Sequence, residues 1–183
     1  TGTDNVGNAT SVSTTVRVSR LTATNIVLAN GGRAGRPGTN DTITITYSDV
    51  VDASSFCSTW VNGSPQSLLA SNLVVITITN VGASDTITAA TTSGCTFHLG
   101  TVDTNADYVS ATATYTGVGT NASELDWDPV ARTLTLVLGT RTSGARNTNV
   151  PQSIPDYTPD PLIDDLNGVT IAPGPFTGTL SGF

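Results

Sequence analysis

The chain has no lysine and no methionine, one histidine and two cysteines among its 183 residues. Each shortage removes a class of function. Without lysine, the Lys–Asn isopeptide crosslinks that brace some surface pilins cannot form within the chain. Sortase-type polymerisation through a lysine is excluded as well, and no LPxTG-like signal occurs. Two cysteines and one distant histidine do not make a zinc constellation. The 7 basic residues face 14 acidic ones, for a net charge of -7. That balance argues against nucleic acid or an anionic membrane as partner, since both require clustered cations. No apolar run approaches the roughly 20 residues of a membrane span, so membrane insertion is not expected. Aromatic residues are only 5%, too few for a broad stacking platform. Charged residues are only 11%, so Thr, Ser, Asn and Gly carry most of the polarity. That suits a half-exposed β-sheet rather than a disordered chain. No leader-like segment and no initiator Met are present, which predicts a mature, processed chain or an excised piece of a larger one.

The residues that are present alternate with period two. Ile43, Ile45 and Tyr47 point one way, and Thr42, Thr44 and Thr46 the other. Val74, Ile76 and Ile78 repeat the pattern, as do Val109, Ala111, Ala113 and Tyr115, and then Leu134, Leu136 and Leu138. Short alternating strands separated by Gly, Asn, Asp and Pro turns predict an all-β antiparallel sandwich. Strands are expected near 10–18, 24–29, 41–48, 73–80, 85–90, 95–99, 108–116, 124–127, 132–138 and 176–181. One short helical turn is expected at 53–60, capped by Asp52. Residues 29–38 read as a flexible loop. Residues 141–161, rich in Asn and Pro, read as irregular surface chain, because proline forbids regular pairing except at an edge. Cys57 and Cys95, in an acidic and lysine-free chain, predict one disulfide and an oxidising, extracellular or cell-surface location.

The first eighteen residues stand apart. A polar turn at 1–8 runs into an alternating segment with Val12, Thr14, Val16 and Val18 on one face and Ser13, Thr15 and Arg17 on the other. A similar turn recurs at Ile163–Gly168 and leads into Phe176–Leu180. Residues 19–183 therefore read as one domain with its own closing strand, and residues 1–18 as an N-terminal extension carrying a spare one. A strand without a sheet must pair elsewhere.

Thr39-Asn-Asp-Thr-Ile-Thr-Ile-Thr-Tyr-Ser-Asp-Val-Val-Asp52 resembles the strand-and-turn of bacterial immunoglobulin-like repeats from large surface proteins. Leu134–Leu138, Tyr157-Thr-Pro159 and Leu162–Gly168 follow the order of that family's closing half. Asp4-Asn-Val-Gly-Asn8 is similar to the turn before its last strand, whereas Asp165-Leu-Asn-Gly168 inverts the Gly and Asn. The resemblance implies an immunoglobulin-like sandwich, a secreted or bacterial cell-surface location, and a structural or adhesive role.

Chemistry-bearing residues are few. His98 alternates outward with Thr96 and has no nucleophile elbow nearby in sequence, so an enzyme is not expected. Asp126 and Asp128 flank Trp127 and read as outward carboxylates around a core tryptophan. Hard oxygen ligands for calcium gather in three turns: Asp4, Asn5 and Asn8; Asp49 and Asp52; Asp160, Asp164 and Asp165. The bland alternative is that such residues simply build turns. Asn8, Asn40 and Asn121 open formal glycosylation triplets.

Two functions are carried forward. In the first, the protein is a structural subunit of an extracellular filament or pilus-like polymer. It assembles head-to-tail with itself, without covalent links, by donating Val12, Thr14, Val16 and Val18 as a strand to a neighbour. In the second, it is a calcium-stiffened module of a tandem-repeat adhesin, with a surface glycan or host ligand as partner. Exposed Trp60 or Trp127 would offer a carbohydrate contact.

Overall fold

The computed structural model describes residues 2–3, 9–10 and 19–183. A small antiparallel pair comes first: β1 (Gly2–Thr3) lies against β2 (Ala9–Thr10), Gly2 opposite Thr10 and Thr3 opposite Ala9. The segment 11–18, including Val12, Thr14, Val16 and Val18, lies outside the described residues.

The period-two alternation then becomes an antiparallel β-sandwich. In chain order the elements are β3 (Ala23–Ala29), β4 (Thr42–Tyr47), α1 (Ala53–Phe56), β5 (Gln66–Leu69) and β6 (Val74–Thr79). They continue with β7 (Thr86–Thr91), β8 (Gly100–Asp103), β9 (Ala111–Tyr115), β10 (Glu124–Asp128) and β11 (Thr133–Val137). The last are β12 (Arg141–Ala145), β13 (Asp156–Pro159) and β14 (Phe176–Thr177). One sheet runs β3-β4-β11-β10-β5 and the other β12-β9-β6-β7-β8-β13-β14. Ile43, Ile45, Leu134, Leu136, Leu125 and Trp127 from the first sheet pack with Ile76, Ile78, Ile87, Val102, Tyr115 and Tyr157 from the second. Each such fully buried aliphatic side chain stabilises the fold by about 1.5–3 kcal/mol. The outward positions of β4 are Thr42, Thr44 and Thr46 and those of β11 are Thr133, Thr135 and Val137, so threonine dominates the wetted face.

One flank of the sandwich is sewn shut by the C-terminal segment. Gly178 N–H donates to Pro155 O and Thr179 N–H to Ile26 O. Ser181 exchanges two backbone bonds with Ser153, and its hydroxyl accepts from Leu28 N–H at 3.1 Å. This segment therefore bonds to β3 on one side and to the start of β13 on the other. Gly178 is required there, because a Cβ would lie 2.2 Å from Ile26 O.

Several expectations change. Segment 141–161 is not irregular: it holds β12 and β13, and β13 is an interior strand between β8 and β14. Its prolines bracket the pairing rather than interrupt it, since Pro155 precedes β13 and Pro159 ends it. Residues 95–99 form no strand. Phe97 and Leu99 alternate inward from a coil tied by the disulfide and by the bond from His98 N–H to Phe56 O. Loop 29–38 is held down, because buried Asp41 accepts from Gly31 N–H and Gly38 N–H at 2.7 Å each. The helical turn at Ala53–Phe56 forms as expected, with the Asp52 carboxylate accepting from Ser54 N–H.

Candidate functional site

Among the described residues the two outer edges of the sandwich, β5 and β12, each have a hydrogen-bonded neighbour on one side only. They differ in how the open side is managed. β12 is blunted. Its pairing with β9 shifts register twice, Gly144 takes a positive φ of 81°, and the Arg141 guanidinium donates to the carbonyls of Ser143 and Gly144. Bulges and a covering cation are devices that keep an edge from recruiting another strand. β5 has none of these. Its four residues pair with β10 in unbroken register, Leu69 opposite Glu124 and Gln66 opposite Trp127. Every second residue must then turn its N–H and C=O away from β10.

Parity sorts the side chains at this edge. Leu125 and Trp127 point into the core, so their partners Leu68 and Gln66 do too. Leu68 is only half-buried, an apolar side chain at the rim of the core. The outer face carries Ser67 and Leu69 from β5 and a row of three carboxylates, Glu124, Asp126 and Asp128, from β10. Leu69 is 54% exposed. Ser67 Oγ donates to Glu124 Oε1 at 3.1 Å. Asp128 Oδ1 accepts from Val130 and Ala131 N–H, closing the turn into β11. Asp126 lies in a groove of about 300 Å³ with Pro65, Gln66, Ser67 and Thr135. Burial, with the neighbouring Glu124 charge, pushes its carboxyl up to about 6. Among the described residues the one ion pair is His98–Asp160, so neither Glu124 nor Asp126 has a cation against it.

The other sequence-predicted positions are distributed as follows. Cys57 and Cys95 form the disulfide, with Cα atoms 5.5 Å apart. The calcium set at Asp4, Asn5 and Asn8 lies outside the described residues, as does the glycosylation triplet at Asn8. Asp52, Asp164 and Asp165 are brought to one end of the molecule, where Val51 bridges Asp165 and Asp52 N–H donates to Asp164 O at 2.9 Å. Three of these acidic side chains face backbone donors: Asp52 caps α1, Asp165 Oδ1 accepts from Asn167 and Val169 N–H, and Asp49 Oδ1 accepts from Val50 N–H. Among the described residues no three His, Cys, Asp or Glu side chains converge as a metal site.

His98 is not simply solvated, since its Nδ1 lies 3.1 Å from Asp160 Oδ2. Asn40 and Asn121 are exposed. Trp127 is the core side chain expected between Asp126 and Asp128, 1% exposed, and Trp60 is 4% exposed, both packed with Phe56, so neither is the exposed aromatic that a carbohydrate contact would need. Sequence reasoning missed β5, and with it Ser67 and Glu124. The spacing of Glu124, Asp126 and Asp128 at every second position was the signal that placed three carboxylates on one face.

The sequence matches no protein-family model and no curated protein, and no solved structure matches its fold.

Proposed function

We propose that the protein is a structural subunit of an extracellular, pilus-like filament in which residues 1–18 extend the sheet of a neighbouring copy. The observation that carries this reading is that both large sheets take all their described strands from residues 23–177, and the flank next to β3 is closed by residues 176–183. The alternating segment Val12–Val18 supplies none of those described strands. The disulfide and the immunoglobulin-like sequence resemblance support placement outside the cell, on a bacterial surface. Donor and acceptor surfaces differ, so the contact propagates head-to-tail. Val12, Val16 and Val18 supply apolar area and the backbone supplies the ladder. The test compares the full chain with a chain lacking residues 1–18 by negative-stain microscopy. Fibres from the first and dispersed particles from the second support the reading, and equal assembly overturns it.

One observation favours the adhesin module with calcium as its cofactor. Asp164 bridges Thr170, whose carbonyl also accepts from the Arg20 guanidinium. Asp164 Oδ1 is buried without a hydrogen-bond partner among the described residues. An acidic turn thus sits where residues 1–18 join the body. A rise in melting temperature with added calcium, lost in Asp164→Asn, separates this reading from the first.

A further inference from the structure

We propose that the free edge of β5 is the acceptor, and that its occupant is the 12–18 segment of a second copy, with Arg17 placed over the Glu124–Asp126 carboxylates. This rests on the strand-donation reading above and adds to it where the strand docks.

Three observations converge on β5. It is the unguarded edge, in unbroken register and without a bulge, whereas β12 is bulged and covered by Arg141. It is also the edge where the core is incomplete: Leu68 points inward but is only half-buried, while β12 offers no large apolar side chain. A strand laid beside β5 with Val12, Thr14, Val16 and Val18 inward covers Leu68. The same parity sends Ser13, Thr15 and Arg17 to the outer face.

The third observation is charge. The outer face at this edge holds Glu124 and Asp126, with no cation against either among the described residues. Residues 1–18 contain one basic residue, Arg17. Arg20, the next cation, is held by the carbonyls of Thr170 and Ile171. A docked strand would lie two strand spacings from β10, roughly 10 Å, which an arginine and a glutamate extended toward one another span. β12, the other outer edge, presents Arg141 and no carboxylate, so it offers Arg17 no comparable partner.

The experiment is a charge exchange in the full chain, read by sedimentation and by the melting temperature of the dilute subunit. Arg17→Glu alone, and Glu124→Arg with Asp126→Asn alone, are each expected to raise the concentration needed for assembly about tenfold. The three changes together are expected to return it near the starting value. Melting temperatures of the dilute subunit should not fall in any variant, since Glu124 and Asp126 lie outside the core. Losses that add instead of cancelling overturn the β5 assignment. Rescue that appears as a higher melting temperature of single chains, without polymer, identifies the chain's own segment as occupant and overturns the second-copy claim. If removal of residues 1–18 abolishes assembly but the exchange fails to rescue, only the edge is wrong. If that removal leaves assembly intact, strand donation itself is wrong.

Discussion

The hydroxyls of Tyr47 and Tyr157 lie 3.2 Å apart in the interior, one side chain from each sheet. Tyr157 O–H donates to Leu99 O at 2.7 Å, so the Tyr47 hydroxyl is the donor between the two rings. Burial raises both phenols above their ordinary range, which keeps this bridge neutral. Tyr157→Phe strands the Tyr47 hydroxyl in an apolar interior and should cost about 1–3 kcal/mol. Tyr47→Phe removes a donor while leaving the bond to Leu99 intact, and should cost less. Urea unfolding of the two variants checks the order.

Closure of the β3 flank depends on Gly178. A methyl group there meets Ile26 O at 2.2 Å and the Ile26 side chain at 3.0 Å. Gly178→Ala should push the C-terminal segment off β3 and destabilise the protein by about 1–3 kcal/mol. Thermal unfolding reads the loss, and amide exchange at Thr179 and Leu28 locates it.

The disulfide closes a sequence separation of 38 residues. Constraining an unfolded loop of that length stabilises the fold by about 4 kcal/mol in the chain-entropy account. The double variant Cys57→Ala, Cys95→Ala should lose about that amount in denaturant unfolding. It should keep the strands, since α1 retains its Asp52 cap.

Asp126 makes the outer carboxylate row sensitive to pH. Its carboxyl is raised to about 6, so its contribution to stability is fully present below the unfolded value and is lost as pH rises through about 6. Glu124 on its own strand is the charged neighbour, while Ser67 and Thr135 face it from β5 and β11 without charge. A cation docked over the pair favours the ionised form. Assembly through Arg17 should therefore strengthen between about pH 5 and pH 7 as the subunit itself loses some stability. Asp126→Asn should flatten both trends, followed by sedimentation and by thermal unfolding across that range.

The central strands were legible because a sheet with one wet face writes itself as alternation. Ile43-Thr-Ile45 and Leu134-Thr-Leu136 each show which side is buried. The edges were not legible, for a physical reason. A strand with little to bury has no alternation to display: β12, Arg-Thr-Ser-Gly-Ala, faces solvent almost throughout, and β8 contributes a single buried side chain, Val102. β13 was hidden by its flanking prolines. Phe97 and Leu99 misled in the opposite direction, alternating into the core from a coil pinned by Cys95. The candidate site was half visible. Parity put Asp126 and Asp128 on one outward face, but Glu124 was passed over, and β5, the strand that makes that face an edge, reads as Gln-Ser-Leu-Leu with no period at all.

The most direct test of strand donation is sedimentation velocity of the full chain beside Val16→Asp, at matched concentrations. The substitution puts a charge on the face that is to be buried against the neighbour and leaves the sequence of residues 19–183 unchanged. The account predicts that the full chain grows with concentration, while Val16→Asp stays a single subunit with unchanged melting temperature. Identical concentration-dependent growth of the two proteins would contradict it.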